Sequence, residues 1–379
     1  MSPVLRRLIE AHRRLDRPSR GGMPTMYAMQ ELQTIDVAGS RRAMGEAIGE
    51  TLRAMVGHLV ERRGTAAAEY LEEHGMADVD LVGLGADCLH VLRGWDPAGY
   101  EEHMGVAQGS GIDAAVLYTM VNLTDMRDIA CLPAQVDAEG CTAVMVPAAT
   151  SASGTPLAGQ TWDLVAGDVD SVVAVHRRPD DGPRTWSVTV AGGPTLMGMN
   201  EDGLALGTTN IKVTGARVGV AYMSLLHRAV HCSDRREAGE VIVRAPRVAA
   251  HTYWFADPNG VLELECDAMA CTMREAFDAT LARTNHCLSD TRHDAEAPAE
   301  SSTTRLSRAE QWAGRDTISV DDIRDLFADR SDGICSINRR HDDGEPTATN
   351  ACVVADPARR VLHACRGEAD RGCWVELAF

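Results

Sequence analysis

The chain has 379 residues, of which 45% are hydrophobic and 24% are charged. This length and composition are typical of one large or two modest globular domains with a buried core. The 55 acidic residues outnumber the 37 basic ones, and the resulting formal charge of −18 would repel a phosphate backbone. We therefore expect no general binding to nucleic acid.

The N-terminal twenty residues carry charges throughout, instead of a basic start followed by an apolar stretch, so no secretory signal is expected. No run approaches the roughly 18 consecutive apolar residues that a membrane helix needs. Eleven cysteines lie at irregular spacings. Together these features predict reduced thiols, a cytoplasmic location and no contact with a membrane.

Helical periodicity dominates the first 130 or so residues. Apolar residues recur at helical spacing over 41–73, and again over 81–94 and 113–128. Asp113 is the predicted N-cap of the last of these helices. The leading segment is therefore expected to be almost wholly helical.

The pattern changes to short β-rich runs from about residue 140. Turn clusters such as DDGP and DPNG separate these runs, and an exposed loop is expected at 289–304. Hairpin-rich sheets with helices laid over them favour a layered α+β domain. Strands are predicted at 171–176, 185–191, 204–209, 261–266, 349–355, 360–365 and 373–378, and helices at 221–245 and 302–328.

Four short motifs lie in order along the β-rich part: GCT at 140–142, GQTWD at 159–163, GMNEDGLALGTTN at 198–210 and RTNHC at 283–287. In this order they resemble the acyl-coenzyme A:isopenicillin-N acyltransferase family of self-processing N-terminal-nucleophile enzymes. More distantly, they resemble the penicillin V acylase and bile-salt hydrolase group. The resemblance covers roughly residues 100–370 and is strongest after Gly140. It implies a four-layer αββα sandwich with a helical N-terminal segment.

The resemblance also implies that the precursor cuts itself between Gly140 and Cys141. The products would be a helical α chain, residues 1–140, and a catalytic β chain, residues 141–379. A cysteine at a new N-terminus carries its own base, because a free α-amine titrates near about 7.7 to 8.0 and can accept the thiol proton. Cys141 would then attack a small-molecule amide or acyl donor and form a thioester. Whether water or an amine releases the acyl group is left open.

The family pattern implies roles for further residues. Asp163 would hold the α-amine and the nucleophile in position, and Asn285 would donate its side-chain amide to the oxyanion. Asn210 and Gln160 would contact the substrate. His251 is also expected to contact it, and because it replaces a small polar residue of the fungal enzyme it would reshape the acyl pocket. No metal or other cofactor is expected. The two chains should stay associated, because the amphipathic helices of the α chain would otherwise expose large apolar faces.

Taken one at a time, these residues also allow a purely structural interpretation. Cys141 could be a small buried apolar residue, which is the usual role of a cysteine in a β-rich segment. Asp163 and Asn285 could satisfy backbone groups at strand ends. Asn210 is equally compatible with lining the site and with turn chemistry.

The chain departs from the family pattern at two positions. The family commonly has asparagine where this chain has Thr161, and Ser336 replaces an arginine that follows the cysteine of an ICR motif. Arg339 and Arg340 lie close by in sequence and could supply the charge. These departures keep open a different class of protein, an uncleaved and inactive relative that serves as a binding or scaffold protein.

Two other classes of site, a cysteine peptidase site and a metal site, have weaker support in the sequence. A cysteine peptidase with His286 as a separate base would be active without cleavage. Metal binding by Cys266 and Cys271, or by His286 and Cys287, is disfavoured because no CxxC pair repeats and no HExxH motif occurs.

Overall fold

A computed structural model describes residues 31–130, 140–289, 294–295 and 297–379. Within these ranges the chain forms ten α-helices and fourteen β-strands. The first twenty residues and the composition break at 131–139 lie outside the described residues. The predictions made for those two segments therefore stay predictions.

The leading segment contains one strand followed by six helices. The helix predicted over 81–94 is confirmed. The helix predicted over 113–128 is interrupted at Asn122, and Asp113 caps its first part by accepting from the backbone of Ala115 at 3.0 Å. The helix predicted over 41–73 is interrupted at Leu52. The elements are β1 (Gln33–Gly39), α1 (Arg41–Thr51), α2 (Arg53–Glu73), α3 (Leu81–Trp95), α4 (Pro97–Ser110), α5 (Ala114–Val121) and α6 (Leu123–Ile129).

Strand β1 corrects the prediction of an almost wholly helical leading segment. It runs parallel to β4 (Val172–Pro179), with Gln33 opposite Val173 and Gly39 opposite Pro179. Only Val37 of the seven strand residues is buried. In sequence only Ile35 and Val37 alternate with a polar residue, which is too short a pattern to identify a strand, and the conformation depends on the hydrogen bonds offered by the edge of β4.

The remaining strands complete two sheets. One has eight strands in the order β1-β4-β5-β6-β7-β8-β9-β10, and the other has six in the order β11-β2-β3-β12-β13-β14. The predicted strands are all present. The elements are β2 (Gly140–Val146), β3 (Leu157–Val165), β5 (Thr185–Val190), β6 (Met197–Asn200), β7 (Ala205–Asn210), β8 (His251–Asp257), β9 (Gly260–Cys266), β10 (Cys271–Ala276), β11 (Leu281–Arg283), β12 (Thr347–Asp356), β13 (Val361–Arg366) and β14 (Trp374–Ala378).

The two sheets pack face to face, and helices cover both outer faces. Helices α1 and α8 (Arg235–Arg244) lie on the eight-stranded sheet, and α9 (Glu300–Ala313) and α10 (Val320–Phe327) lie on the six-stranded sheet. Helix α7 (Tyr222–Ala229) precedes α8. Separate apolar clusters fill the space between the sheets and the space under α9 and α10. The αββα sandwich is therefore confirmed.

The cysteines differ from expectation at one pair. Cys266 and Cys271 face each other across β9 and β10 and form a disulfide. The expectation of reduced thiols is wrong here, and neither sulfur is available to a metal. No group of three or more His, Cys, Asp or Glu side chains in the described ranges is arranged to hold a metal ion. None of the described helices is long and apolar enough to cross a membrane.

Candidate active site

The antiparallel pairing of β2 and β3 brings the first two motifs together. Gly140 lies opposite Asp163, and Cys141 lies opposite Trp162. Both strands are buried here, and the side chain of Cys141 contributes to the apolar cluster between the two sheets. Two motifs that are separate in sequence therefore meet at one end of the sandwich.

The same argument brings Asn285 to Cys141. Strand β11 is antiparallel to β2 with Arg283 opposite Ala143, so a further two residues bring Asn285 level with Cys141. The backbone N–H of Cys141 donates to Asn285 Oδ1 at 2.8 Å, and Asn285 Nδ2 donates to the carbonyl of Asn210 at 3.0 Å. Asn285 in the fourth motif thus contacts both the first motif and the third.

A small pocket opens beside these residues. Asn210 at the end of β7 and His251 at the start of β8 are direct partners in the sheet. They line the pocket together with Cys141 and Asp163, and its volume is about 30 Å³. Four of the predicted site residues therefore line one cavity between the two sheets, and the side chain of Asn285 contacts two of them.

Gln160 requires a correction, because its side chain does not line this pocket. Its Nε2 donates to the carbonyl of Thr208, and its Oε1 accepts from the backbone of Thr208 at 2.9 Å and from Trp254 Nε1 at 2.6 Å. The side chain is fully buried between the sheets. Its carboxamide links β3 to β7 and β8, which is a structural role.

Asp163 presents one unsatisfied oxygen to the Gly140–Cys141 junction. Its Oδ1 accepts from Thr349 Oγ1 at 2.8 Å, whereas its buried Oδ2 has no hydrogen-bond partner among the described residues. A Cβ atom at position 140 would lie 2.9 Å from that Oδ2. Glycine is therefore the residue that fits at this position. Burial raises the pKa of Asp163, and the nearby charge of Arg305 offsets this only in part.

Arg305 is a site residue that the sequence reasoning missed. This fully buried side chain on α9 donates to the carbonyl of Cys141 and, through Nη2, to Asn285 Oδ1 at 2.9 Å. The loop predicted at 289–304 in fact ends where α9 begins, at Glu300. A charged residue just after a run of serines and threonines was the available signal, but nothing in the sequence linked it to Cys141.

Asp125 on α6 is a second missed residue. It belongs to the leading segment, yet its Oδ1 accepts from His251 Nε2 at 2.7 Å and its Oδ2 accepts from the backbone of Tyr222 at 2.9 Å. The ring of Tyr222 stacks on His251 with ring centroids 4.6 Å apart. No local pattern could have predicted a contact between residues 126 positions apart.

The two departures from the family pattern have local explanations. Thr161 Oγ1 accepts from the backbone of Thr142 at 3.1 Å, and Ser336 Oγ accepts from the backbone of Asp332 at 2.9 Å. Arg339 is buried, and its charge lies close enough to Asp163 to oppose part of the rise in the pKa of that carboxyl. Arg340 instead pairs with Asp370. Of the two nearby arginines, only Arg339 therefore supplies charge to the site.

His286 does not line the Cys141 pocket. Its Nδ1 forms a hydrogen bond of 2.8 Å with Ser302 Oγ on α9, and burial lowers its pKa. This geometry supports a role in fixing the loop after β11. It does not support the cysteine peptidase alternative, which needs His286 beside the nucleophile.

A larger cavity adjoins the Cys141 pocket. The two cavities share Thr124, Leu164 and Tyr222, and the larger one has a volume of about 260 Å³. It lies against α2, α5 and α6 and the end of β3. Its lining is mostly apolar and includes Ala66, Ala67, Leu81, Val121 and Leu123, with Arg62, Arg63, Arg127 and Asp168 as its charged members.

Two face-to-face sheets enclosed by helices form an αββα sandwich of the N-terminal-nucleophile type. Residues 150–371 match the model of the acyl-coenzyme A:6-aminopenicillanic acid acyl-transferase family. This match spans more than half of the chain, which therefore belongs to that family. The chain is accordingly an N-terminal-nucleophile-type amidohydrolase or acyltransferase.

Solved structures similar to this chain come from several organisms. One is the N-acylethanolamine-hydrolyzing acid amidase ortholog of Caenorhabditis elegans, with 12% identity, a TM-score of 0.44, and coverage of 62% of this chain and 100% of that one. Another is a mutant of the conjugated bile acid hydrolase of Clostridium perfringens, with 11% identity, a TM-score of 0.40, and coverage of 62% of this chain and 97% of that one. A third is penicillin V acylase of Agrobacterium tumefaciens, with 12% identity, a TM-score of 0.41, and coverage of 60% of this chain and 83% of that one. No curated protein sequence matches the chain.

Proposed function

We propose that the chain cleaves itself between Gly140 and Cys141 and that Cys141 then acts as an N-terminal nucleophile on a small-molecule amide. The observation that carries this proposal is the surroundings of the Cys141 nitrogen. Asn285 Oδ1 accepts from that nitrogen, and Asp163 Oδ2 faces the preceding glycine. These two oxygen atoms are placed to accept hydrogen bonds from an α-amine, which has more N–H groups to donate than the backbone amide it replaces.

Self-cleavage would begin with attack of Cys141 Sγ on the carbonyl carbon of Gly140. The thiol gives its proton to water, the S–C bond forms, the C–N bond breaks, and the departing nitrogen of Cys141 takes up one proton from a neighbouring acid, which water then reprotonates. Asp163 is suited to supply that proton, because its pKa is raised and its Oδ2 lies at the junction. Water then hydrolyses the thioester and leaves a carboxylate on Gly140.

In the mature enzyme the α-amine of Cys141 would accept the thiol proton during attack on substrate. Asp163 and Asn285 would hold this amine, as they surround the nitrogen already. The thiolate forms a thioester with the acyl group, and the leaving amine takes the proton from the α-ammonium. The second Nδ2 hydrogen of Asn285 and the side chain of Asn210 are suited to stabilise the oxyanion.

The adjoining larger cavity supports an apolar acyl group as the part of the substrate bound beside Cys141. Its walls are mostly aliphatic, and burying each CH₂ group there would contribute about 0.8 kcal/mol. Comparing p-nitrophenyl octanoate with p-nitrophenyl acetate tests this. We expect a higher kcat/KM for the octanoate, and equal values would contradict an apolar acyl site.

The α and β chains are proposed to remain associated after cleavage. Strand β1 of the leading segment completes the sheet beside β4, and buried ion pairs cross the boundary. Arg63 Nη2 donates to Asp168 Oδ2 at 2.8 Å, and Arg177 Nε donates to Glu102 Oε1 at 2.6 Å. Losing the α chain would leave these charges unpaired in the interior, which is costly.

Intact mass spectrometry under denaturing conditions tests the processing step. The wild type should give two chains divided between Gly140 and Cys141, and Cys141→Ala should stay whole. Cys232→Ala is the matched control, because Cys232 is also buried but lies outside the pocket, and it should divide like the wild type. A wild type that stays whole after long incubation would overturn the proposal.

Hydrolysis and acyl transfer would use the same thioester, so the acceptor decides between them. Incubating processed enzyme with an acyl p-nitrophenyl ester and a primary amine such as glycinamide separates the two. A free acid as the main product at millimolar amine indicates a hydrolase. An amide as the main product indicates a transferase.

A further inference from the structure

His251 occupies an unusual position between the leading segment and the Cys141 pocket. It lines that pocket, its side chain is 2% exposed, and its ring is stacked on Tyr222. One ring nitrogen, Nε2, donates to Asp125 Oδ1 at 2.7 Å. A histidine aligned by a carboxylate is the arrangement that enzymes use to hold one tautomer of an imidazole.

The hydrogen bond to Asp125 decides which nitrogen carries the proton. A carboxylate at Asp125 can only accept, so in the neutral form of the His251 ring Nε2 carries the hydrogen and Nδ1 keeps its lone pair. Nδ1 is buried and finds no hydrogen-bond partner within the described part of the chain. Leaving such an acceptor unsatisfied is unfavourable, and a substrate group or water bound beside His251 would offset this.

We propose that His251 is a catalytic residue, the general base that accepts a proton when water or an amine attacks the thioester, and that Asp125 positions it. This inference rests on the proposed function of Cys141. The α-amine serves the formation of the thioester, and His251 serves its breakdown. Because Asp125 lies on α6, the proposed α chain contributes directly to turnover.

The proton and electron balance of this step is complete without a further reactant. The attacking oxygen or nitrogen forms a bond to the thioester carbonyl carbon and gives its proton to His251 Nδ1. The C–S bond breaks and leaves a thiolate on Cys141. The imidazolium then returns its proton to the thiolate or α-amine, which restores the resting enzyme.

The ester p-nitrophenyl octanoate separates the two halves of the reaction. Its p-nitrophenolate leaves without needing a proton, so formation of the thioester should not depend on His251. For the processed His251→Gln variant we expect a burst of one p-nitrophenolate per site, followed by turnover slowed about 100- to 10,000-fold. Intact mass should show the β chain one acyl group heavier, a species that a purely structural role would not accumulate.

Asp125→Asn provides a second variant that tests the same idea through the tautomer. The asparagine would meet the Tyr222 N–H with its oxygen and turn its NH₂ group toward His251 Nε2, which moves the ring proton to Nδ1. Breakdown of the thioester should slow while its formation stays within a few-fold of wild type. This variant also decides the question if His251→Gln does not fold.

His176 offers a matched control elsewhere in the same sheet. It hydrogen-bonds through Nδ1 to Asp36 Oδ2 at 2.8 Å, stacks on Trp186 at 4.5 Å, and has a buried Nε2 with no partner in the described ranges. Strand β4 lies four strands from β8 in the sheet order. His176→Gln should therefore break down the thioester at the wild-type rate.

The outcomes distinguish this inference from the proposed function itself. If wild-type Cys141 never becomes acylated, the proposed nucleophile fails. If Cys141 is acylated but His251→Gln and Asp125→Asn break down the thioester at the wild-type rate, only the role of His251 fails. Equal slowing of both steps would also overturn it, since that indicates a general disturbance of the pocket.

Discussion

Two aspartates near the end of β3, Asp163 and Asp168, are equally buried at 1% exposure, yet their surroundings are opposite. Both carboxylate oxygens of Asp168 accept hydrogen bonds from arginine, namely from Arg62 and Arg63. Asp163 has one hydroxyl donor on Oδ1, and its Oδ2 lacks a partner among the described residues. Burial alone therefore does not identify a functional site. An oxygen atom without a hydrogen-bond donor is more informative than the depth at which the carboxylate is buried.

The pKa directions follow this contrast. Burial works against the charged form of both groups, but the charges and hydrogen bonds of Arg63 and Arg62 lower the pKa of Asp168 below its ordinary value of 3.8. The pKa of Asp163 is raised, since burial outweighs Arg305 and Arg339. The lowered pKa favours the charged form of Asp168, and the raised pKa of Asp163 agrees with its proposed role as a proton donor.

The strongest test of the contrast is Asp168→Asn. Removing this charge leaves Arg63 buried without its anion, which should lower the free energy of unfolding by about 3–5 kcal/mol. Self-cleavage of the folded fraction should be unchanged, and the two chains should separate at lower urea concentration than in wild type. Urea unfolding and native gel filtration measure these effects, and unchanged stability would show that the pair is not a structural link.

Asp163→Asn should produce the converse result. The substitution keeps the shape but removes the proton donor and the charge at the junction, so self-cleavage should slow about 100- to 1,000-fold. Stability should stay the same or rise, because an unpaired acid is removed from the interior. Intact mass over time follows the cleavage, and a normal rate of cleavage would separate Asp163 from the chemistry.

Gly140→Ala sharpens the comparison by displacing Asp163 Oδ2 without removing it. The new Cβ would lie 2.9 Å from that oxygen, and the resulting strain of about 1–3 kcal/mol should slow cleavage. Gly57→Ala is the control, because a Cβ there meets no atom within 4 Å. Equal cleavage rates in the two variants would mean that the contact between position 140 and Asp163 Oδ2 does not affect cleavage.

Acid titration gives the smallest effect. The lowered pKa of Asp168 means that its contribution to stability is present above 3.8 and is lost as the pH falls through the lowered folded-state value. Asp163 has the opposite sign: its cost to the folded state grows as the pH rises above 3.8 toward its raised folded-state value. Urea unfolding of wild type, Asp163→Asn and Asp168→Asn between about pH 3 and 7 should show these opposite trends.

Much of the fold could be predicted because its signals are local. Helical spacing over 81–94 and alternating or continuous apolar runs after residue 171 each need only a short window of sequence. The order of the motifs was also sufficient to bring Cys141, Asp163 and Asn285 forward as a set. That set lies together in the structure, although the roles of its members stay proposals.

The errors share a different cause, which is that each depends on a distant partner. Strand β1 is extended because β4 offers it an edge. Gln160 looked like a substrate contact because it stands in a motif, but it links two sheets that the motif does not reveal. The disulfide between Cys266 and Cys271 depends on the register of β9 and β10.

By itself the sequence determined the α+β class, most helices and strands, and the set of Cys141, Asp163 and Asn285. It could do so because periodicity and motif order are properties of the chain alone. Tertiary structure decided which oxygen of Asp163 lacks a partner among the described residues, that Arg305 contacts Cys141, and that Asp125 forms a hydrogen bond with His251. The last two contacts join residues 164 and 126 positions apart. Hydrogen bonds act only within about 3 Å, so packing of the whole sandwich is what creates them.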